Sequence, residues 1–163
     1  MKTNNYKKVL IALDLDPTAQ KVAEIGYELA KSMGAKVILL HTLVDAVYYS
    51  SIENYPLIGF TGSVIAPMLI QGGYDSKKES QNYLDKIKTH LGEVSIETIV
   101  KEGDCADLIL KTSEELHADV IVMGSHSKRW LEEILMGSVT EKVLHLSSIP
   151  LFIIPTKNKK NNL

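Results

Sequence analysis

Val9-Leu10-Ile11-Ala12-Leu13-Asp14-Leu15-Asp16-Pro17-Thr18 joins an uninterrupted apolar run to an acidic turn. A strand with one wet face alternates apolar and polar residues, whereas a strand covered on both faces is apolar throughout. Val9 to Leu13 is of the second kind, so helices are expected above and below it. Asp16 can cap the helix that follows, and Pro17 suits its first position. Val22, Ile25, Gly26, Leu29, Ala30 and Met33 then recur at the spacing of one helix face. Gly34 suits the end of that helix, where a left-handed residue is commonly needed.

The same alternation continues along the chain. Lys36 to His41, built on Val37-Ile38-Leu39-Leu40, reads as a second strand. Asp75 to Leu91 reads as a polar helix with a stripe of Leu84, Ile87 and Leu91, stopped by Gly92. Ile96 to Val100 alternates with Glu97 and Thr98, which suits a less buried strand at an edge. Asp104 opens a further helix, with Asp107 three residues on in capping-box position. Ala118 to Met123 is a fourth strand, a helix starts near Ser138, and Leu151-Phe152-Ile153-Ile154 between Pro150 and Pro155 is a fifth. Strands joined by helices, with no hairpin signal, imply an α/β fold on a parallel, doubly wound sheet.

The chain has 163 residues, enough for one domain and short for two. Residues 1–163 are therefore read as one domain with frayed Asn- and Lys-rich tails. A net charge of −2, with no basic face, argues against nucleic acid as a partner. The apolar runs are strand-sized, so no membrane span is expected. The first residues lack the apolar core of a secretion signal. Cys105 is the only cysteine, which excludes an internal disulfide. A reducing cytoplasm is the expected location. One segment breaks the rhythm: Asp45 to Gly73, about 29 residues, exceeds an ordinary connection. It is read first as a loop packed on its own sheet edge, and otherwise as a lid or a partner surface.

Ligands of open parallel sheets bind at the carboxyl ends of the strands, where strand order reverses. The most informative stretch leaves the fourth strand: Gly124-Ser125-His126-Ser127-Lys128-Arg129-Trp130-Leu131-Glu132-Glu133-Ile134-Leu135-Met136-Gly137-Ser138. Gly124 and Gly137 allow close backbone approach, and Ser125, Ser127 and Ser138 can donate to phosphate oxygens. Ser138 begins a helix, whose free N–H groups attract anions. Ser138-Val139-Thr140-Glu141 is also a capping box, which accounts for Ser138 without any ligand. From the residues alone the two readings stand level.

Gly124-x-x-Ser127, nine residues, then Gly137-Ser138 resembles the pattern of the universal stress protein family. ATP-binding members of that family carry Gly-x-x-Gly, nine residues, Gly-Ser/Thr at this place. The likeness extends through Ala12-Leu13-Asp14, Leu39-Leu40-His41, Glu102-Gly103-Asp104, Gly137 to Val143, and Pro150 to Pro155. It implies a five-stranded Rossmann-like sheet ordered 3-2-1-4-5, related to the adenine-nucleotide alpha-hydrolases. It also implies an adenine nucleotide, ATP first among them, with Mg²⁺ or Mn²⁺. By position, Asp14 would approach the ribose or a phosphate-bound metal, and the backbone near Thr42 would meet the adenine. Gly124, Ser127, Gly137, Ser138 and Val139 would surround the phosphates. Ser127 departs from the family glycine. If that position requires a positive φ, serine costs on the order of 1 kcal/mol.

Other candidates have plainer readings. His41 suits a hydrogen-bonded structural histidine, and His126, Lys128 and Arg129 suit solvent. Trp130, Leu131, Ile134 and Leu135 suit packing, and Cys105 suits a small buried thiol. No catalytic constellation is present, so at most slow ATP hydrolysis is expected. The apolar strand Leu151 to Ile154, at a sheet edge in the implied order, invites a second copy, and the family commonly dimerises there. The expected function is a nucleotide-binding regulatory homodimer. The alternative is an interaction module of the same fold without nucleotide.

Overall fold

A computed structural model describes residues 6–43, 76–125 and 137–156. The long segment 45–73 and the residues 126–136, including Ser127, lie outside the described residues. The elements follow as β1 (Lys8–Leu13), α1 (Ala19–Ser32), β2 (Lys36–Leu43), α2 (Ser76–Leu91), β3 (Glu97–Glu102), α3 (Cys105–Glu115), β4 (Val120–Gly124), α4 (Ser138–Leu146) and β5 (Leu151–Ile154). All the strand pairs are parallel, in the order β3-β2-β1-β4-β5. The sheet is the expected one.

β1 occupies the centre, in register with both β2 (Ala12 opposite Leu40) and β4 (Ala12 opposite Met123). Its alternate residues feed two cores. Val9, Ile11 and Leu13 join Val22, Ala23, Leu39 and Leu84 on the α1/α2 face. Leu10 joins Ile38, Leu40, Ala106, Ile109, Ile121 and Val143 on the α3/α4 face. Val9, Leu10 and Ile11 are wholly buried, as their unbroken apolar run requires. Burying one such side chain is worth about 1.5–3 kcal/mol.

Local signals agree with the elements in most places. Gly34 and Gly92 end α1 and α2 with φ of 63° and 69°, a region costly to other residues. Leu84 and Ile87 are buried, and Leu91 packs against the same core. Asp104 caps α3 by accepting the Asp107 N–H at 2.9 Å. Several boundaries differ, β2 running on to Leu43 among them, and three have a visible cause. β3 runs Glu97 to Glu102, because backbone pairing with β2 carries it past Val100 through Lys101 and Glu102. β4 starts at Val120, because Asp119 turns its carboxylate to the N–H groups of Lys7 and Lys8 at 2.7 and 2.9 Å. α1 starts at Ala19 with Thr18 as the capping position, and the Thr18 side chain makes no cap bond to the helix. Asp16 acts just ahead, where its carboxylate accepts the Thr18 N–H and hydroxyl at 2.9 and 2.7 Å.

Helix α1 approaches the sheet most closely at Gly26. A Cβ there would stand 2.8 Å from Ile11 Cδ1 and 3.0 Å from Val122 Cγ1. Gly26 therefore sets how tightly α1 lies over β1 and β4. Gly26→Val should lower stability by about 1–3 kcal/mol through overpacking, read as an earlier urea midpoint. An unchanged midpoint would mean that α1 can lift without cost.

Candidate functional site

Strand order reverses between β1 and β4, so the connections leaving these two strands go to opposite faces. A crevice at their carboxyl ends follows from that topology. Asp14 stands at the end of β1, exposed, with its Oδ1 accepting the Asp16 N–H at 3.1 Å. Among the described residues, Oδ2 accepts no hydrogen bond. Beside it, His41 is buried and donates from Nδ1 to the Leu13 carbonyl at 2.7 Å. That bond makes His41 a support for the end of β1, in line with its structural reading.

Tyr83 of α2, which the sequence did not single out, packs edge-on to the His41 ring with centroids 6.4 Å apart. Its hydroxyl is pushed up to about 12, first by burial and then by the charges of Asp14 and Asp16. The phenol therefore stays neutral across the physiological range. Its signal in the sequence was slight, since Tyr83 sits next to Leu84 on the edge of the α2 stripe.

Thr42 lies near the end of β2, opposite Lys101 of β3. Its carbonyl faces the Cys105 thiol at 3.9 Å, and the Leu43 carbonyl accepts the Gly103 N–H at 2.8 Å. Cys105 is half-buried here as a minor contact.

At the other side of the crevice, Gly124 is the last residue of β4 and pairs with Ile154. Its carbonyl accepts the Thr140 hydroxyl at 3.0 Å, which pins the first turn of α4 to the strand end. Ser125 continues the β4–β5 ladder: its N–H donates to Ile154 O at 2.8 Å, and its hydroxyl oxygen accepts the Thr156 N–H at 3.2 Å. Val139 packs partly into the core and Ser138 is exposed.

The capping-box reading of Ser138 is corrected here. The N-cap of α4 is Gly137, which has no side chain to cap the helix, and among the described residues no other side chain takes that place. Ser138 is the first helical residue, because the Thr140 anchor places the start one residue earlier than the local pattern suggests. Only Glu141, donating to Gly137 O at 2.9 Å, begins the intrahelical ladder. The N–H groups ahead of it are those a helix start leaves for other acceptors. Gly137 has φ −61° and ψ 150°, ordinary values for any L-residue. Its missing side chain is therefore not a demand of the backbone.

The universal stress protein family model matches residues 5–155. This chain belongs to the universal stress protein family. The universal stress protein MJ0577 of Methanocaldococcus jannaschii is 32% identical over 94% of this chain and 97% of its own length. A solved structure of MJ0577 superposes with a TM-score of 0.66 at 30% identity, covering 94% of this chain and 99% of that one. Two more distant stress proteins share the fold. One, in complex with cAMP, is 18% identical with a TM-score of 0.60, over 92% of this chain and 97% of that one. The other, from Archaeoglobus fulgidus in complex with dAMP, is 20% identical with a TM-score of 0.58, over 92% and 98%.

Among the described residues of this stress protein, no group of three His, Cys, Asp or Glu could hold a metal ion, and no helix could cross a membrane. A second perturbed group is Asp104, the cap of α3. Its carboxyl lies below the usual aspartate range, held there first by the Asp107 N–H and then by Lys142. A depressed carboxyl stabilises the fold above its unfolded value, and that contribution is lost as pH falls through the folded value. Asp104→Ala should cost about 1 kcal/mol near neutral pH. The gap to the natural chain should close as pH drops below the ordinary aspartate range, measured by denaturant unfolding across pH. A gap that does not change with pH would assign the cap no charge dependence.

Proposed function

We propose that this chain binds an adenine nucleotide, ATP with Mg²⁺ or Mn²⁺, at the carboxyl ends of β1 and β4. In this reading it works in the cytoplasm as a regulatory homodimer of the stress response. The observation that carries the reading is the start of α4. Gly137 has a conformation open to any residue yet bears no side chain, and among the described residues no side chain caps the helix it begins. Oriented N–H groups at a helix start suit phosphate oxygens, and a glycine lets those oxygens come close. Complexes of stress proteins with cAMP and dAMP support an adenine nucleotide as the ligand class.

In this reading Asp14 meets the ribose or a metal-bound water, and the backbone at Thr42 meets the adenine. Gly124, Ser125, Gly137, Ser138 and Val139 lie along the phosphates, and Ser127 would join them. A single carboxylate fits the metal, because Mg²⁺ in nucleotide sites takes one or two carboxylates together with phosphate oxygens and water. When bound, the metal would neutralise phosphate charge. The side chains do no chemistry here beyond holding and orienting the ligand, so the role is one of binding, with slow hydrolysis at most.

Titration calorimetry of Mg·ATP into nucleotide-stripped protein tests the site. Binding is expected at micromolar concentration in the natural chain and should be lost in Gly137→Val, whose side chain would stand where phosphate approaches. At a ligand excess of 100-fold over Kd, the natural chain should gain about 2.7 kcal/mol of stability. No heat and no melting shift would overturn the nucleotide reading and leave the dimer as the working unit.

The dimer reading rests on β5. It is an edge strand with a neighbour on one side only, and its Phe152 is 40% exposed. An uncharged apolar edge of this kind recruits another strand. Light scattering should report a dimer for the natural chain and a monomer for Phe152→Glu. A natural monomer at micromolar concentration would overturn it.

A further inference from the structure

Lys142 stands one helical turn after Ser138, where a cation could be expected to serve the start of α4. Its ammonium is instead committed to the neighbouring helix. It donates to Asp104 at 3.2 Å and lies 3.0 Å from Asp107 Oδ1. The same Asp104 oxygen accepts the Asp107 N–H that caps α3, so one bridge ties the starts of two helices together. The Lys142 ammonium is raised above the usual lysine range, first by Asp107 and then by Asp104. Asp107 thus makes no reciprocal capping-box bond with its carboxylate; it holds Lys142.

The bridge belongs to a longer line of contacts. Gly103 donates to Leu43 O at 2.8 Å, and the Cys105 thiol faces Thr42 O at 3.9 Å, so the end of β2 is tied to the residues flanking Asp104. From Asp104 the line passes through Lys142 into α4. On the α4 side, Thr140 is bonded to Gly124 O at 3.0 Å.

We propose that Lys142 is a positioning residue for the nucleotide site. Its bridge to Asp104 and Asp107 sets the spacing between the Thr42 backbone, at the adenine end, and the start of α4, at the phosphate end. The proposal rests on the nucleotide reading above. Its consequence is selective: a ligand that spans both ends depends on the bridge, and one that occupies only the adenine end does not.

Mg·ATP and adenosine titrated in parallel into natural chain and variants test this. Lys142→Met should weaken Mg·ATP about fivefold, the scale of an exposed ion-pair network, and leave adenosine unchanged within about twofold. Lys142→Arg should restore Mg·ATP binding. Asp104→Asn with Asp107→Asn frees the ammonium while keeping it, and should also weaken Mg·ATP. Tighter binding by that double variant would overturn the proposal in favour of a direct cation–phosphate contact. Equal losses of Mg·ATP and adenosine, or no loss of either, would overturn it as well.

The ligand-free chain gives an independent readout. Amide exchange at Glu141 and Val143, whose N–H groups belong to the first bonded turn of α4, should quicken in Lys142→Met and recover in Lys142→Arg. Unchanged exchange overturns the bridge as a positioning device even where the natural chain binds Mg·ATP. A natural chain that binds neither ligand, with exchange quickened as expected, refutes the nucleotide reading and with it the site that Lys142 would position.

Discussion

β1 is paired with a parallel neighbour on each side, β2 along Lys8 to Leu13 and β4 along Val9 to Ala12. A strand so placed must be apolar on both faces, and Val9 to Leu13 is. The two neighbours come from different halves of the chain, so their connections pass over opposite faces. The strand ends on either side of that divide cannot be closed over by one connection. A crevice at the carboxyl ends of β1 and β4 is thus a by-product of burying β1, independent of what the crevice holds.

This dependence explains which parts were legible from sequence. Burial writes itself into composition, so β1, β2 and the stripe of α2 could be read directly. Backbone pairing does not. β3 extends through Lys101 and Glu102 because β2 offers partners there, and Lys101 finds Glu115 at 2.8 Å rather than a buried slot. Asp119 looked like part of a strand and is instead an acceptor for two N–H groups about 110 residues away in the chain. Local patterns fail where a distant contact competes with them. Asp104 capped as expected because its partners lie within three residues. Ser138 did not, because Thr140 is anchored to Gly124, 16 residues earlier.

The positions of the candidate residues in the fold were legible in outline for a different reason. Glycines and hydroxyls at a strand-to-helix passage carry a chemical meaning whatever the details of the fold. Asp14, Thr42, Gly124 and Ser125 fall at or beside the carboxyl ends of β1, β2 and β4, and Gly137, Ser138 and Val139 fall at the start of α4, which Thr140 ties to Gly124. Tyr83 and the Lys142 bridge were not legible. Tyr83 reaches the end of β1 from a helix whose sequence signal is only its apolar stripe. Lys142 and Asp104 are separated by 38 residues, and nothing in either segment marks the other.

The placement of charge around the crevice has a physical logic. Lys142 is neutralised by two carboxylates, and Lys21 is spent on the Pro155 carbonyl at 3.0 Å. Among the described residues, the start of α4 therefore offers dipoles rather than mobile cations. A lysine that folds onto a phosphate must surrender rotamer freedom and desert its hydration, whereas N–H groups at a helix start are already aimed. Their field is short-ranged and falls off within the first turn. An anion held that way is recognised by where its oxygens sit more than by its total charge. In the proposed nucleotide site, the spacing between the end of β2 and the start of α4, two segments that the Lys142 bridge to Asp104 and Asp107 helps to tie together, is then the quantity on which selection among ligands would turn.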